Sequence, residues 1–271
     1  MDFAEFYQRH APALEADEAR HYILLGWLEL CKLGMRRGVR AWDFEEPGFC
    51  AVQPAGELAI VLGSPDQAMC RWLAERVADG RFPGVMGPGD GPHWFVRRSK
   101  QLGVAWRAPL VSGIYRLDAA PVSPGIPGEA RAVTPDDLPL FAEWMAAYMR
   151  AALPADPAID PSWLDLWASE GNYRFWVVDG VPVSMAGRYW KTRTGAAITG
   201  VYTPPAVRGK GYAAAVTAAV ALDILAAGYA QVFLMARADN TPAIRCYAKI
   251  GFRQVADFAH YWRVPADGDE G

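Results

Sequence analysis

Arg208-Gly209-Lys210-Gly211-Tyr212-Ala213 puts two glycines, an alanine and two cations where a helix begins. A strand-like segment at 196–203 precedes this run, and an Ala/Val/Leu helix follows to about Ala227. Small residues at a helix start let backbone N–H groups approach an anion with no side chain in the way. The helix dipole adds roughly half a positive charge there. Arg208 and Lys210 add two full charges beside it. Such a run is a pyrophosphate cradle for a nucleotide-bearing ligand. A phosphate loop of the G-x-x-x-x-G-K-[ST] kind needs Ser or Thr after the lysine, and Gly211 stands there instead. A dinucleotide fingerprint, G-x-G-x-x-A, is met by Gly209, Gly211 and Ala214. It also requires an acid about 20 residues on. Asp223 comes too early and Asp239 too late.

A third pattern, [RQ]-x-x-G-x-[GA], is filled by Arg208, Gly211 and Ala213. A second motif stands downstream, N-x-x-A-x-x-x-Y-x-x-x-G-F, filled by Asn240, Ala243, Tyr247, Gly251 and Phe252. Together, in this order and spacing, they resemble the acetyl-CoA loop and the following helix of the GNAT superfamily of N-acyltransferases. The resemblance covers about residues 129–264, half of the chain.

The resemblance implies a role for each marked residue. Val201, Tyr202 and Thr203, at the end of the strand before the cradle, would offer backbone groups to the pantetheine arm and the acyl carbonyl; otherwise they are ordinary sheet residues. Arg208, Gly209, Lys210, Gly211, Tyr212 and Ala213 would hold the pyrophosphate. Tyr247 would be the general acid, since a phenol with a reference pKa near 10 can protonate a departing thiolate; the alternative is a core tyrosine on an amphipathic helix. Asn240 either bonds the pantetheine arm or only starts its helix, because Asn-Thr-Pro is a helix-start signal. Cys246 reads as a buried thiol, not a nucleophile. The segment 196–203 holds no acid or histidine, so no general base is assigned. The implied co-substrate is acetyl-CoA or a near acyl-CoA, with no metal. The acceptor would be the primary amine of a small molecule or peptide. A helix-loop-helix at 143–170 would cover the acceptor, with Trp144, Tyr148, Trp163, Trp167, Asp156, Asp160 and Glu170 either lining it or serving as packing and loop residues. A non-catalytic acyl-CoA sensor, or less readily a nicotinamide-dinucleotide binder, stays open as an alternative.

The elements that must position these residues follow from patterning. Pro and Gly crowd residues 119–128, which marks a boundary. Beyond it come a strand at 130–134, a helix from Thr134 to about Ala152, a short helix at 162–169 and a hairpin of 173–178 with 181–190 turning at Asp179-Gly180. The strand 196–203, the cradle helix, a strand at 231–236, a helix and a strand at 252–264 complete an α/β order that resembles the GNAT fold, a mixed, mostly antiparallel sheet flanked by helices. The first half repeats it with one strand fewer: helices near 2–14 and 19–33, strands at 39–44, 48–53 and 57–62, a helix at 65–78, a strand near Val85, a helix near 92–102 and a strand at 111–117. Its loop Gly63-Ser64-Pro65-Asp66 lacks the glycine pattern. The expected organisation is therefore a degenerate GNAT-like half without cofactor (1–118), a linker (119–128), a competent half (129–264) and a disordered tail (265–271). That tandem architecture is similar to the glycine N-acyltransferase-like branch. A fused second copy would replace a partner subunit and leave a monomer with an internal pseudo-dimer.

Composition narrows the class. The chain has 271 residues, 52% hydrophobic and 21% charged, which describes an ordinary globular protein. With net charge −3 and no basic stripe, nucleic acid is not an expected partner. Four cysteines without C-x-x-C spacing read as reduced thiols of a cytoplasmic protein, and four scattered histidines suggest no metal site. The first residues carry no secretory pattern, and the cradle helix is short and punctuated for a membrane span.

Overall fold

The computed structural model describes residues 3–32, 39–44, 46–54, 58–78, 82–152 and 171–264. The expected helix at 162–169, with Trp163, Trp167, Asp156, Asp160 and Glu170, and the tail at 265–271 lie outside the described residues. The chain forms two compact units. One comprises Met1–Ile114, Lys191–Arg193 and Val255–Gly271; the other comprises Tyr115–Trp190 and Thr194–Gln254.

In the first unit, α1 (Phe3–Glu15) and α2 (Glu18–Lys32) bury Phe6, Leu14, Leu24, Leu25 and Leu28 against Cys50, Val52 and Val61. The strands are β1 (Arg40–Asp43), β2 (Cys50–Gln53), β3 (Ile60–Leu62) and β4 (Gly84–Pro88), with α3 (Gln67–Arg76) and α4 (Gly91–Gln101) between and after the last two. Here β1–β2 and β2–β3 are antiparallel and β3–β4 parallel. The open side of β4 is taken by β11 (Arg253–Trp262), antiparallel, from Phe258↔Pro88 to Trp262↔Gly84. At the start of α3 the Asp66 carboxylate accepts a hydrogen bond from Met69 N at 2.6 Å. A side-chain anion thus sits in the place where a helix N-terminus would otherwise take a ligand anion.

In the second unit, β6 (Glu129–Ala132), β7 (Tyr173–Val178) and β8 (Val181–Lys191) form an antiparallel set. Asp179 (φ 49°) and Gly180 (φ 77°) are both left-handed, the two-residue hairpin turn that matches strand twist. Then come β9 (Gly195–Tyr202), α6 (Tyr212–Ala226), β10 (Gln231–Arg237) and α7 (Thr241–Lys249). The strand order is β5-β10-β9-β8-β7-β6, where β5 spans Leu110–Leu117. Helix α5 (Leu138–Ala152) is preceded by a turn in which Asp137 accepts from Thr134 N at 2.8 Å and takes the Arg131 guanidinium at 2.6 and 2.9 Å. That guanidinium, more than any other group, holds the Asp137 carboxyl well below the usual carboxylate range. Helix α6 is apolar on nearly every side because it is buried. Ala214, Ala215, Val216, Ala218, Val220, Ala221 and Ile224 pack with Ala196, Ile198, Val232 and Leu234 of the strands beneath. The small side chains bring the helix axis close to the sheet, which fixes where its N-terminus lies. In both units a mixed, mostly antiparallel sheet flanked by helices is the architecture that the patterning predicts.

Two histidines of the first unit are buried uncharged. Burial, and then the Arg20 charge, lowers His21 from an ordinary 6.5 to about 4; its Nε2 lies 3.0 Å from Ser64 Oγ and its Nδ1 has no hydrogen-bond partner. Burial lowers His260 likewise to about 4; its Nε2 is unpaired and its ring stacks on Trp262 at 3.5 Å. Because both folded values lie below the unfolded one, stability is fully present above pH 6.5. It drains away as the pH falls from about 6.5 to about 4, by roughly 3 kcal/mol for His21 and less for the more exposed His260. Thermal unfolding followed between pH 7 and pH 4 should show this fall, and His260→Leu should remove part of it at little cost at pH 7. A midpoint that does not move over that interval contradicts the assignment.

Candidate functional site

The site begins where a ladder ends. Strands β9 and β10 pair in parallel from Gly195↔Gln231 to Ile198↔Leu234, and both strands continue beyond the last pair. Two features turn the end of β9 towards β8. Gly200 has φ +63°, and a Cβ built on it would lie 2.7 Å from the Tyr173 ring. Ser184 Oγ, fully buried on β8, donates to Tyr202 O at 2.9 Å and lies 2.8 Å from Thr203 Oγ1. Pro204 and Pro205 follow, without N–H groups to continue a ladder.

The opening is a cavity of about 540 Å³. Val201, Tyr202 and Thr203 line one side, and Met235, Ala236 and Arg237 the other. At one end stand Arg208, Gly209, Gly211, Tyr212 and Ala213. Gly211 (φ +86°) is the N-cap of α6, and the first helical bond of this turn runs from Ala215 N to Gly211 O at 3.1 Å. The N–H groups of Tyr212, Ala213 and Ala214 therefore lie ahead of the helix's own ladder and are free to meet a ligand anion. Arg208 Nε donates to Thr203 O at 2.9 Å, which folds the guanidinium back over the end of β9. Lys210 is exposed and does not border the cavity.

Helix α7 supplies the far wall. Asn240 Oδ1 accepts from Ala243 N at 3.2 Å, so this residue caps the helix, and it also borders the cavity. With the oxygen engaged in the cap, its two amide N–H groups are what it can offer a ligand. Tyr247, 7% exposed, lies on the same wall. Burial first, then Cys246 and Tyr148 nearby, hold its phenol well above the ordinary value, so it stays protonated. The Cys246 thiol is pushed up to about 11 by burial and stays neutral, which makes it a poor nucleophile.

Of the residues singled out in the sequence, the fold gathers Val201, Tyr202, Thr203, Arg208, Gly209, Gly211, Tyr212, Ala213, Asn240 and Tyr247 around one cavity and leaves Lys210 outside it. Trp144 is a core residue, packed on Phe175 at 5.2 Å and near Tyr202 at 5.9 Å, while Tyr148 reaches the cavity wall. Met235 and Arg237 are among the lining residues that carried no sequence signal. Arg237 pairs with Asp239 at 2.9 and 2.6 Å and donates to Ala151 O at 3.2 Å. Nor did Ser184, whose part depends on what lies across the sheet. Among the described residues, the cavity wall carries no carboxylate and no imidazole. No group of three or more potential metal ligands occurs among them, and no helix is long and apolar enough to cross a membrane.

Residues 177–263 match the family described as FR47-like protein. No curated protein matched the sequence. Among solved structures, the chain is similar to a Drosophila protein (TM-score 0.68, 14% identity, 98% of this chain and 97% of that one). It is also similar to a GCN5-related N-acetyltransferase from Kribbella flavida (0.59, 17%, 89% and 94%). A third similar structure is a GNAT-family acetyltransferase from Colwellia psychrerythraea (0.57, 11%, 87% and 89%). The chain has the GNAT fold.

Two glycines separate steric from dihedral effects. Gly209→Ala places a Cβ in open space at φ +81°, so only backbone strain opposes it, about 1 kcal/mol. Gly200→Ala adds the collision with Tyr173 and should cost about 2 kcal/mol or more. Chemical denaturation of both variants should rank them in that order; equal losses would show that the Tyr173 ring yields freely.

Proposed function

We propose that the chain is an acyl-CoA-dependent N-acyltransferase, moving an acetyl or near acyl group to a primary amine of a small molecule or peptide. One observation carries this reading: the parting of β9 from β10 leads straight from the α6 N-terminus to the Tyr247 phenol. A pyrophosphate suits the N–H groups of Tyr212, Ala213 and Ala214, with Arg208 beside it. The pantetheine amides would pair with backbone groups of Val201, Tyr202 and Thr203, and Asn240 would donate its amide N–H groups. The amine nitrogen then attacks the thioester carbon; the C–N bond forms, the C–S bond breaks, and the thiolate takes a proton from Tyr247. The amine's surplus proton leaves to water, and the phenol is reprotonated from solvent. The raised phenol pKa means that Tyr247 carries its proton at neutral pH, so a donor is in place when the thiolate departs.

On this reading one site serves each chain, in the second unit. Asp66 caps α3 where Gly211 caps α6, and a carboxylate there repels phosphate. The first half would then contribute surface and not chemistry. The thiols of Cys50, Cys70 and Cys246 accord with a reducing cytoplasmic setting.

Calorimetric titration with acetyl-CoA and, separately, NADH tests the ligand. Acetyl-CoA should bind once per chain, and Gly211→Asp should abolish it; binding of NADH alone would favour the dinucleotide alternative. Thiol release across amino acids, polyamines, aminoglycosides and peptide N-termini tests the reaction. Binding without turnover on any of them would identify a sensor instead. Tyr247→Phe should lower kcat by about 10- to 1,000-fold and change acetyl-CoA affinity little. An unaltered kcat would remove Tyr247 from the mechanism.

A further inference from the structure

Among the residues that line the cavity is a phenol from another helix. Tyr148 projects from α5 onto the cavity wall. Its hydroxyl lies 3.4 Å from Thr199 Oγ1. Thr199 is the first β9 residue after Ile198, the last that pairs with β10, so this contact lies at the apex of the parting strands. The next residue, Gly200, is covered by the Tyr173 ring. Tyr148 and Tyr247 line the same cavity.

We infer that Tyr148 is the end wall of the acyl subsite and restricts the protein to short acyl-CoA thioesters. The inference rests on the reading that the cavity holds an acyl-CoA. An acyl group whose thioester sits beside Tyr247 points away from the cradle. It therefore points towards Tyr148. Acetyl ends short of the ring, whereas each further methylene must displace it, together with its contact to Thr199. A chain too long for a closed apolar pocket loses about 10- to 200-fold per methylene. Tyr148→Ala removes the ring and opens the space up to Thr199, Gly200 and the Tyr173 ring behind them.

The test is competition binding with free CoA, acetyl-CoA, butyryl-CoA and hexanoyl-CoA. The wild-type protein should bind acetyl-CoA at least tenfold more tightly than hexanoyl-CoA. Tyr148→Ala, or Tyr148→Leu should the alanine variant fail to fold, should narrow or invert that ratio. Tyr148→Phe keeps the ring and should retain the wild-type order. A merely structural defect would weaken all four ligands together and leave their order intact, which would overturn the inference. Equal wild-type affinity for all three thioesters would overturn it as well, while leaving the proposed function standing. Failure of every ligand, free CoA included, would overturn both.

Discussion

A parallel strand pair that stays paired has no room for a ligand, and everything at this site depends on the pairing of β9 and β10 stopping at Ile198 and Leu234. Stopping it carries a cost, because backbone N–H and C=O groups left without partners inside a protein are expensive. Part of that cost is offset locally. Ser184 accepts the task of holding Tyr202 O, and Arg208 that of holding Thr203 O. The left-handed Gly200 lets β9 turn without a side chain colliding with Tyr173. What remains is an edge of polar backbone at the wall of the cavity. The gap and the helix terminus are one device, since small residues along α6 set both how closely it packs and where its free N–H groups point.

The small residues at the start of α6 were legible because their pattern is local. Gly209, Gly211 and Ala213 are neighbours in sequence and line the same cavity. The same holds for Asn240, whose capping bond to Ala243 spans three residues. The hairpin turn at Asp179 and Gly180 was legible for that reason too. Less could be read where function depends on contacts across the sheet. Ser184 is an unremarkable residue on a buried strand until Tyr202 is seen beside it. Arg237 drew no reading from the sequence, since only the fold brings the end of α5 to it. Lys210, a cation within the motif, is exposed and lies outside the cavity lining. Trp144 and Tyr148 lie one turn apart on α5, yet one is core and the other wall. Composition does not separate them; their contacts across the fold do.

Helices α3 and α6 differ at the residue that caps them. A helix N-terminus is an anion site wherever it occurs, and its occupant depends on what stands at the cap. Asp66 brings its own carboxylate, and Gly211 brings nothing. The same dipole that stabilises the fold in one unit is left available in the other.

The route of the last strand bears on how the chain comes to be folded. Unit one closes the side of β4 with β11, so Gly84 waits for Trp262. Unit two sets β10 beside β5, which is made long before it. On a translating ribosome, then, the half synthesised first is completed last. Until β11 emerges, β4 presents an open strand edge, a template for wrong pairing that a finished sheet conceals. Contacts this distant in sequence also form slowly. A nascent chain would be most exposed to aggregation in its oldest part, so a chaperone that shields β4 through the later stages of synthesis would act where the risk is greatest.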